Sequence, residues 1–194
     1  MVKILFVKSN PEKKRVQLGI EENDGQTTVL KIRESTYTSL GSPERGSYVT
    51  DEALTALRYD DELLRAYRKA VGMLADSDKS RYEMTQKLRH HGYSKEIIDI
   101  VLEKCEQYGY LDEDRQLERL IEREANRKLR GRYYIKRKLM AKGYRSSAID
   151  RITDLLVEGG EIDFDANFKN LAEKRGADDE NAIMALKYRY GYKI

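Results

Sequence analysis

Apolar and polar positions follow two rhythms along this chain, and the change comes near residue 60. Before it, Val2 to Val7, Arg15 to Ile20 and Thr27 to Ile32 are short runs rich in β-branched and apolar residues. Asn23-Asp24-Gly25, between the last two, tolerates positive φ. These runs predict a small antiparallel sheet with a hairpin. Three short strands alone are marginal in water, so a helix must cover one face, and Asp51 to Leu57, followed by a longer helix beginning near Asp61, is the candidate.

After residue 60 the apolar period is about 3.6. Leu63, Leu64, Tyr67, Val71 and Leu74 form one stripe, Met84 and Leu88 continue it, and Leu117, Leu120, Ile121 and Leu129 begin another. Gly92, Gly109, Gly131, Gly143 and Gly159-Gly160 fall between stripes, where a helix ending in a left-handed residue favours glycine. Ser94, Asp112 and Asp163 then stand at expected N-caps. The pattern predicts helices of about 12 to 18 residues joined by tight turns.

These helices are copied. Ser80 to Asp114 aligns without a gap to Gly131 to Asp165, 51 residues later, with 11 of 35 positions identical, among them Arg81 with Arg132, Gly92 with Gly143 and Asp112 with Asp163. Composition alone would give roughly two identities. The chain therefore reads as mainly α, with tandem three-helix repeats in an elongated array after a small antiparallel β segment. The expected boundaries are 1-60 for a β-rich segment with a short helix, 61-114 and 115-165 for two three-helix repeats, and 166-194 for a third. In the third, Ala166 to Arg175 and Asp178 to Tyr190 read as helices, and Gly191-Tyr192 echoes Gly92-Tyr93, but the sequence then ends at Ile194, short of a last helix. Such arrays bury each unit against its neighbours and present a long surface to an extended partner.

Charge breaks the symmetry of the copies. The net charge is only +3, yet Arg115 to Arg145 holds 12 basic against 3 acidic residues, whereas residues 1 to 60 balance at 9 and 9. A local excess of that size attracts polyanions or an acidic protein surface. The single cysteine, Cys105, lies on an apolar helix face with Ile97, Ile98, Val101 and Leu102, so a disulfide within the chain is excluded. No apolar run has the length of a membrane span, the first residues do not read as a signal peptide, and the expected compartment is the cytoplasm.

The sharpest local feature is Arg115, Arg119, Arg123 and Arg127, spaced by four. On an α-helix they would share one face over about 18 Å and could grip phosphates or carboxylates. Arg130, Arg132, Lys136 and Arg137, with Lys128 and Lys138, carry the basic character onward. The alternative is a solvated face partly neutralised by Glu118, Glu122 and Glu124. Tyrosines number 14 and tryptophan is absent; Tyr82, Tyr93, Tyr133, Tyr134, Tyr144, Tyr188, Tyr190 and Tyr192 lie among cations, either to stack on bases or to pack between repeats. His90 and His91 are adjacent, diverge by about 100 degrees on a helix and cannot chelate one ion together. Asp112, Glu113, Asp114, Asp163 and Asp165 sit where acids start helices, so no metal, cofactor or catalytic constellation is expected.

Ser80-Arg81-Tyr82-Glu83-Met84 with Lys87-Leu88 and Gly92-Tyr93, then Gly109-Tyr110-Leu111-Asp112-Glu113, then Leu139-Met140-Ala141-Lys142-Gly143-Tyr144, together resemble the motifs of the RecX regulatory proteins of bacteria. Ile32 to Leu40, then Gly41-Ser42-Pro43-Glu44-Arg45-Gly46 and Thr50-Asp51-Glu52-Ala53-Leu54, are similar to the strand and loop segment preceding the repeats in many members from Gram-positive lineages, so the resemblance spans nearly the whole chain. It implies a non-enzymatic monomer that binds RecA and the RecA filament on single-stranded DNA and lowers ATP hydrolysis, strand exchange and coprotease activity. The residues expected to engage RecA or DNA are Arg115, Arg119, Arg123, Arg127, Arg130, Arg132, Lys136 and Arg137, with Arg81, Lys87 and Arg89 as the weaker set of the first repeat. Two other readings stand beside it: a helical protein that binds DNA directly without RecA, and a carboxylate-dependent nuclease using Asp112 and Asp114.

Overall fold

The computed structural model describes residues 1–22 and 24–193. Asn23 of the expected turn, and Ile194, lie outside the described residues. Contacts divide the chain into two compact units, Met1–Met73 with Gly92–Glu103, and Leu74–His91 with Lys104–Ile194.

The first unit is built on a four-stranded antiparallel sheet in the order β3-β2-β1-β4, with β1 Val2–Asn10, β2 Arg15–Glu21, β3 Thr27–Arg33 and β4 Tyr48–Val49. A short helix, α1 (Glu34–Ser39), follows β3. Neither α1 nor β4 has a sequence signal strong enough to predict. One sheet face carries Val2, Ile4, Val16, Leu18, Ile20, Leu30 and Ile32, all buried against Leu54 and Leu57 of α2 (Asp51–Asp76). Gly19 faces Phe6 across a bulge in β1, and a Cβ there would lie 2.2 Å from the ring, so only glycine admits the phenylalanine.

The two helices expected at Asp51 and Asp61 are one, the 26-residue α2. Asp61 marks the expected start of the second helix, yet it and Asp60 lie inside α2. In the fold they are buried and turn toward β3: Lys31 N–H donates to Asp61 Oδ1 at 2.8 Å, and Arg33 N–H donates to Asp60 Oδ2 at 2.6 Å. Arg33 and Arg65 supply countercharge. Amides of the sheet edge are thereby satisfied without another strand. Ile97, Ile98, Val101 and Leu102 of α4 (Lys95–Gln107) are buried as their spacing predicts.

The second unit contains α3 (Arg81–His90), α5 (Glu113–Glu122), α6 (Arg132–Ala141), α7 (Ser146–Glu158), α8 (Phe164–Arg175) and α9 (Glu180–Tyr190). Both α6 and α7 begin and end 51 residues after α3 and α4, so the sequence repeat is a structural one. The punctuation repeats as well. Gly92 and Gly143 both adopt φ near +85°, and the carboxylates of Asp112 and Asp163 each accept backbone N–H groups at the next helix start. Leu117, Ile121, Ile135, Leu139, Ile149 and Ile152 form the core, joined by Tyr144, whose hydroxyl donates to Gln116 Oε1 at 2.9 Å inside it.

One repeated position has diverged in kind. Ser80 opens α3 with a capping box: its Oγ accepts Glu83 N–H, and Glu83 Oε2 accepts Ser80 N–H, both at 3.1 Å. Its counterpart Gly131 is not the helix-ending glycine expected but the N-cap of α6, with φ −77° and no side-chain cap. The end of α9 supplies the missing partners: Gly131 N–H donates to Tyr190 O at 2.8 Å and Tyr133 N–H to Gly191 O at 3.1 Å. A Cβ on Gly131 would lie 2.3 Å from Gly191 O, so glycine permits this backbone-to-backbone docking. Among the described residues no helix is long and apolar enough to cross a membrane.

Candidate functional site

Asp112 caps α5, accepting Arg115 N–H at 3.1 Å, and the helix presents Leu117, Leu120 and Ile121 to the core. At Arg123–Arg127 it widens into a π-helical turn, with Lys128 N–H donating to Arg123 O at 3.3 Å, and closes on Leu129 at φ +52°. This corrects the expectation of four arginines on one α-helical face. The α-helix ends at Glu122, so Arg115 and Arg119 lie on it while Arg123 and Arg127 lie in the wider π turn.

Glu124 lies within the turn. It is not part of the solvated face expected for it but is buried, accepting Lys128 Nζ on Oε1 at 2.7 Å and facing Lys138 Nζ at 2.9 Å from Oε2. Burial raises its pKa, but the two ammonium groups outweigh that and hold the carboxyl below its ordinary range. The extra backbone residue turns Glu124 and Ala125 inward together and leaves the arginines outside.

Three of the four ladder arginines meet at one groove of about 360 Å³, lined by Asp78, Arg119, Leu120, Arg123, Asn126 and Arg127 among others. Arg119 Nη2 pairs with Asp78 Oδ1 at 2.8 Å, both half-exposed, an interaction worth at most about 1 kcal/mol and readily exchanged for another anion. Arg123 lies 4.0 Å from Glu124, whose charge is already shared by two lysines. Arg127 is exposed and pairs with no carboxylate among the described residues. Arg115 is exposed and equally unpaired, outside this groove.

The remaining candidates separate by what they touch. Arg130 is held between two rings, its guanidinium 4.4 Å from the centroids of both Tyr134 and Tyr190. Arg132 reaches Asp154 at 2.6 Å, which raises its pKa, and Lys136 reaches Asp150 at 2.5 Å. Arg81 pairs with Glu106 at 2.5 Å. Lys87, Arg89 and Arg137 are exposed and, among the described residues, carry no ion pair. Asp78 is the participant that the sequence does not point to, whereas Glu124, Tyr134 and Tyr190 are legible there as neighbours of cations but not with these partners. Asp78 is 41 residues from Arg119, and only the Glu124–Lys128 spacing of four carried any local signal.

The acids of the nuclease reading serve helix starts and ion pairs. Asp112 and Asp163 are caps, and Asp114 takes both bonds of Arg151 at 2.7 and 2.6 Å. His90 and His91 lie edge to face with ring centroids 6.0 Å apart. The tyrosines divide: Tyr144, Tyr190 and Tyr192 are buried, whereas Tyr82, Tyr133 and Tyr188 are exposed.

Comparison with known proteins places this architecture. A family model described as RecX, first three-helix domain, matches residues 66–105. Regulatory protein RecX of Geobacillus sp. strain WCH70 is 22% identical over 182 residues, covering 94% of this chain and 65% of that protein. Regulatory protein RecX of Pseudomonas fluorescens strain Pf-5 is 34% identical over 90 residues, covering 46% of this chain and 57% of that protein. The chain thus spans less than two thirds of the length of either curated relative. A crystal structure of regulatory protein RecX superposes with a TM-score of 0.73 at 19% identity, covering 100% of this chain and 95% of that one.

Proposed function

The chain belongs to the RecX family, and from that premise we propose that it regulates the RecA recombinase in the cytoplasm. It binds the RecA filament on single-stranded DNA and lowers its ATPase, strand-exchange and coprotease activities. It does so by occupying surface, without chemistry of its own. The observation that supports this reading best is the Arg119–Arg123–Arg127 groove, set in a segment of 12 basic against 3 acidic residues. A filament offers acidic protein surface and phosphates in regular succession. A protein with several modest contacts along it gains avidity there that it lacks on free subunits. Among the described residues Arg115, Lys87 and Arg89 carry no ion pair and are available for contacts besides the groove; Arg81, Arg132 and Lys136 would first have to leave Glu106, Asp154 and Asp150.

The test is the ATPase of RecA on single-stranded DNA with increasing amounts of this protein. Inhibition at near-stoichiometric protein, stronger on preformed filament than on free RecA, is expected. Unchanged hydrolysis would overturn the reading.

A further inference from the structure

Where α9 ends against the start of α6, a second groove of about 740 Å³ opens, separate from that of the arginine ladder. Its walls carry Tyr133 and Arg137 from α6, and Tyr188, Arg189 and Lys193 from α9 and beyond. Among the described residues no carboxylate lines it. In the first repeat the residues matching Tyr133-Tyr134 are Tyr82-Glu83, so this copy has exchanged an acid for a ring.

The rings here fall into two kinds. Tyr134 lies under Arg130, and Tyr192 packs on Phe168 with its hydroxyl donating to Leu129 O at 3.1 Å. These are committed to the fold. Tyr133 and Tyr188 are 62% and 80% exposed and, among the described residues, stack on no other ring or cation. The backbone bonds of Gly131 and Tyr133 to Tyr190 and Gly191 hold the two helices together, so the free rings are placed before any ligand arrives. Preorganisation of that kind lowers the cost of binding.

Open aromatic faces beside cations, without acids, suit a ligand with flat π surfaces and regular negative charge. An acidic peptide would use the cations and leave the rings bare. A duplex already has its bases stacked on one another, whereas a flexible strand can lay its bases on the rings. We propose that this groove is a subsite for single-stranded DNA, in which Tyr133 and Tyr188 stack on bases and Arg137, Arg189 and Lys193 hold the adjoining phosphates. The choice of DNA over RNA rests on the reading in the preceding section; the subsite itself needs no recombinase.

The experiment uses the full chain alone, without RecA, and a labelled oligothymidine followed by fluorescence anisotropy. Tyr133→Ala with Tyr188→Ala weakens binding about tenfold or more, given the usual contribution of a base stacked on a ring. The paired Tyr→Phe changes keep affinity within about twofold, because the ring face remains. Arg137→Ala, Arg189→Ala and Lys193→Ala together lower the slope of log affinity against log salt by about 2. The chain contains no tryptophan, so quenching of tyrosine emission on binding is read directly and shrinks in the double alanine variant. Far-UV circular dichroism and melting stay unchanged, as both rings are exposed.

Several results would overturn the proposal. They are absence of oligothymidine binding, equal affinity in the double alanine variant, displacement by polyglutamate as effective as by unlabelled oligothymidine, and tighter binding of oligouridine. None of them bears on whether RecA hydrolysis is inhibited, so this proposal and the family reading can fail separately.

Discussion

Lys138 of α6 places its Nζ 2.9 Å from Oε2 of Glu124, a buried carboxylate in the π turn that ends the preceding helix. Lys128 takes the other oxygen at 2.7 Å. A buried charge with this few partners is strongly coupled to the fold, because removing any one leaves the others uncompensated.

Glu124→Gln is expected to destabilise the protein by about 1–3 kcal/mol, less than a fully buried pair because both lysines keep part of their hydration. The pH dependence follows from the sign of the shift. The folded carboxyl ionises at lower pH than the unfolded one, so its contribution is present above the ordinary glutamate range and is lost as pH falls through the folded value. Melting temperatures measured from about pH 6 down to about pH 3 should fall more steeply in the native sequence than in Glu124→Gln. Parallel curves would show that Glu124 is not held ionised by its lysines.

Gly131→Ala should damage the docking of α9 on α6 while sparing the rest of the unit. The added methyl would lie 2.3 Å from Gly191 O, so the backbone must move apart and two hydrogen bonds lengthen. Overpacking of this kind costs roughly 1–3 kcal/mol. Amide exchange at Gly131 and Tyr133 should accelerate well beyond that of Met84 and Leu88 in α3. Uniform acceleration would instead indicate global loss of stability.

What could be read in the sequence was local. The 51-residue offset, the positive φ of Gly92, Gly109, Gly143 and Gly160, and the caps at Ser94, Asp112 and Asp163 all depend on residues a few positions apart. The helix start expected near Asp61 is not there because Asp60 and Asp61 serve amides about 30 residues earlier in β3, a long-range role with no local signal. The π turn has no local signal either: Glu124, buried within it, is paired with Lys138 on another helix. The four-residue arginine spacing is legible in the sequence, but the end of the α-helix at Glu122 is not, and the run is not one α-helix. Gly131 was read as a helix end, since its role depends on Gly191.

Cys105 should be inert in the folded protein. It is fully buried, and burial pushes its thiol up to about 11, so little thiolate forms at neutral pH. Iodoacetamide at about pH 8 should leave the native chain unmodified over a period that labels it completely in urea. Rapid labelling without denaturant would mean that the fold opens readily around Cys105.

The arginine groove gives the prediction that bears most directly on function. Arg123 and Arg127 are bound weakly or not at all within the chain, whereas Arg132 is tied to Asp154 at 2.6 Å. Arg123→Ala with Arg127→Ala should therefore weaken binding to the RecA filament by about tenfold, with loss of association rate and reduced salt dependence, as expected for exposed charges facing a partner. Helicity should hold, since alanine favours helix. Arg132→Ala removes a partly exposed ion pair and should change stability by less than about 1 kcal/mol, with a smaller effect on binding. Surface plasmon resonance on immobilised filament, repeated at two salt concentrations, separates these outcomes. Equal losses for Arg132 and the Arg123/Arg127 pair would mean that net charge matters and the groove does not, and full binding by the double variant would leave these arginines as a solvated face.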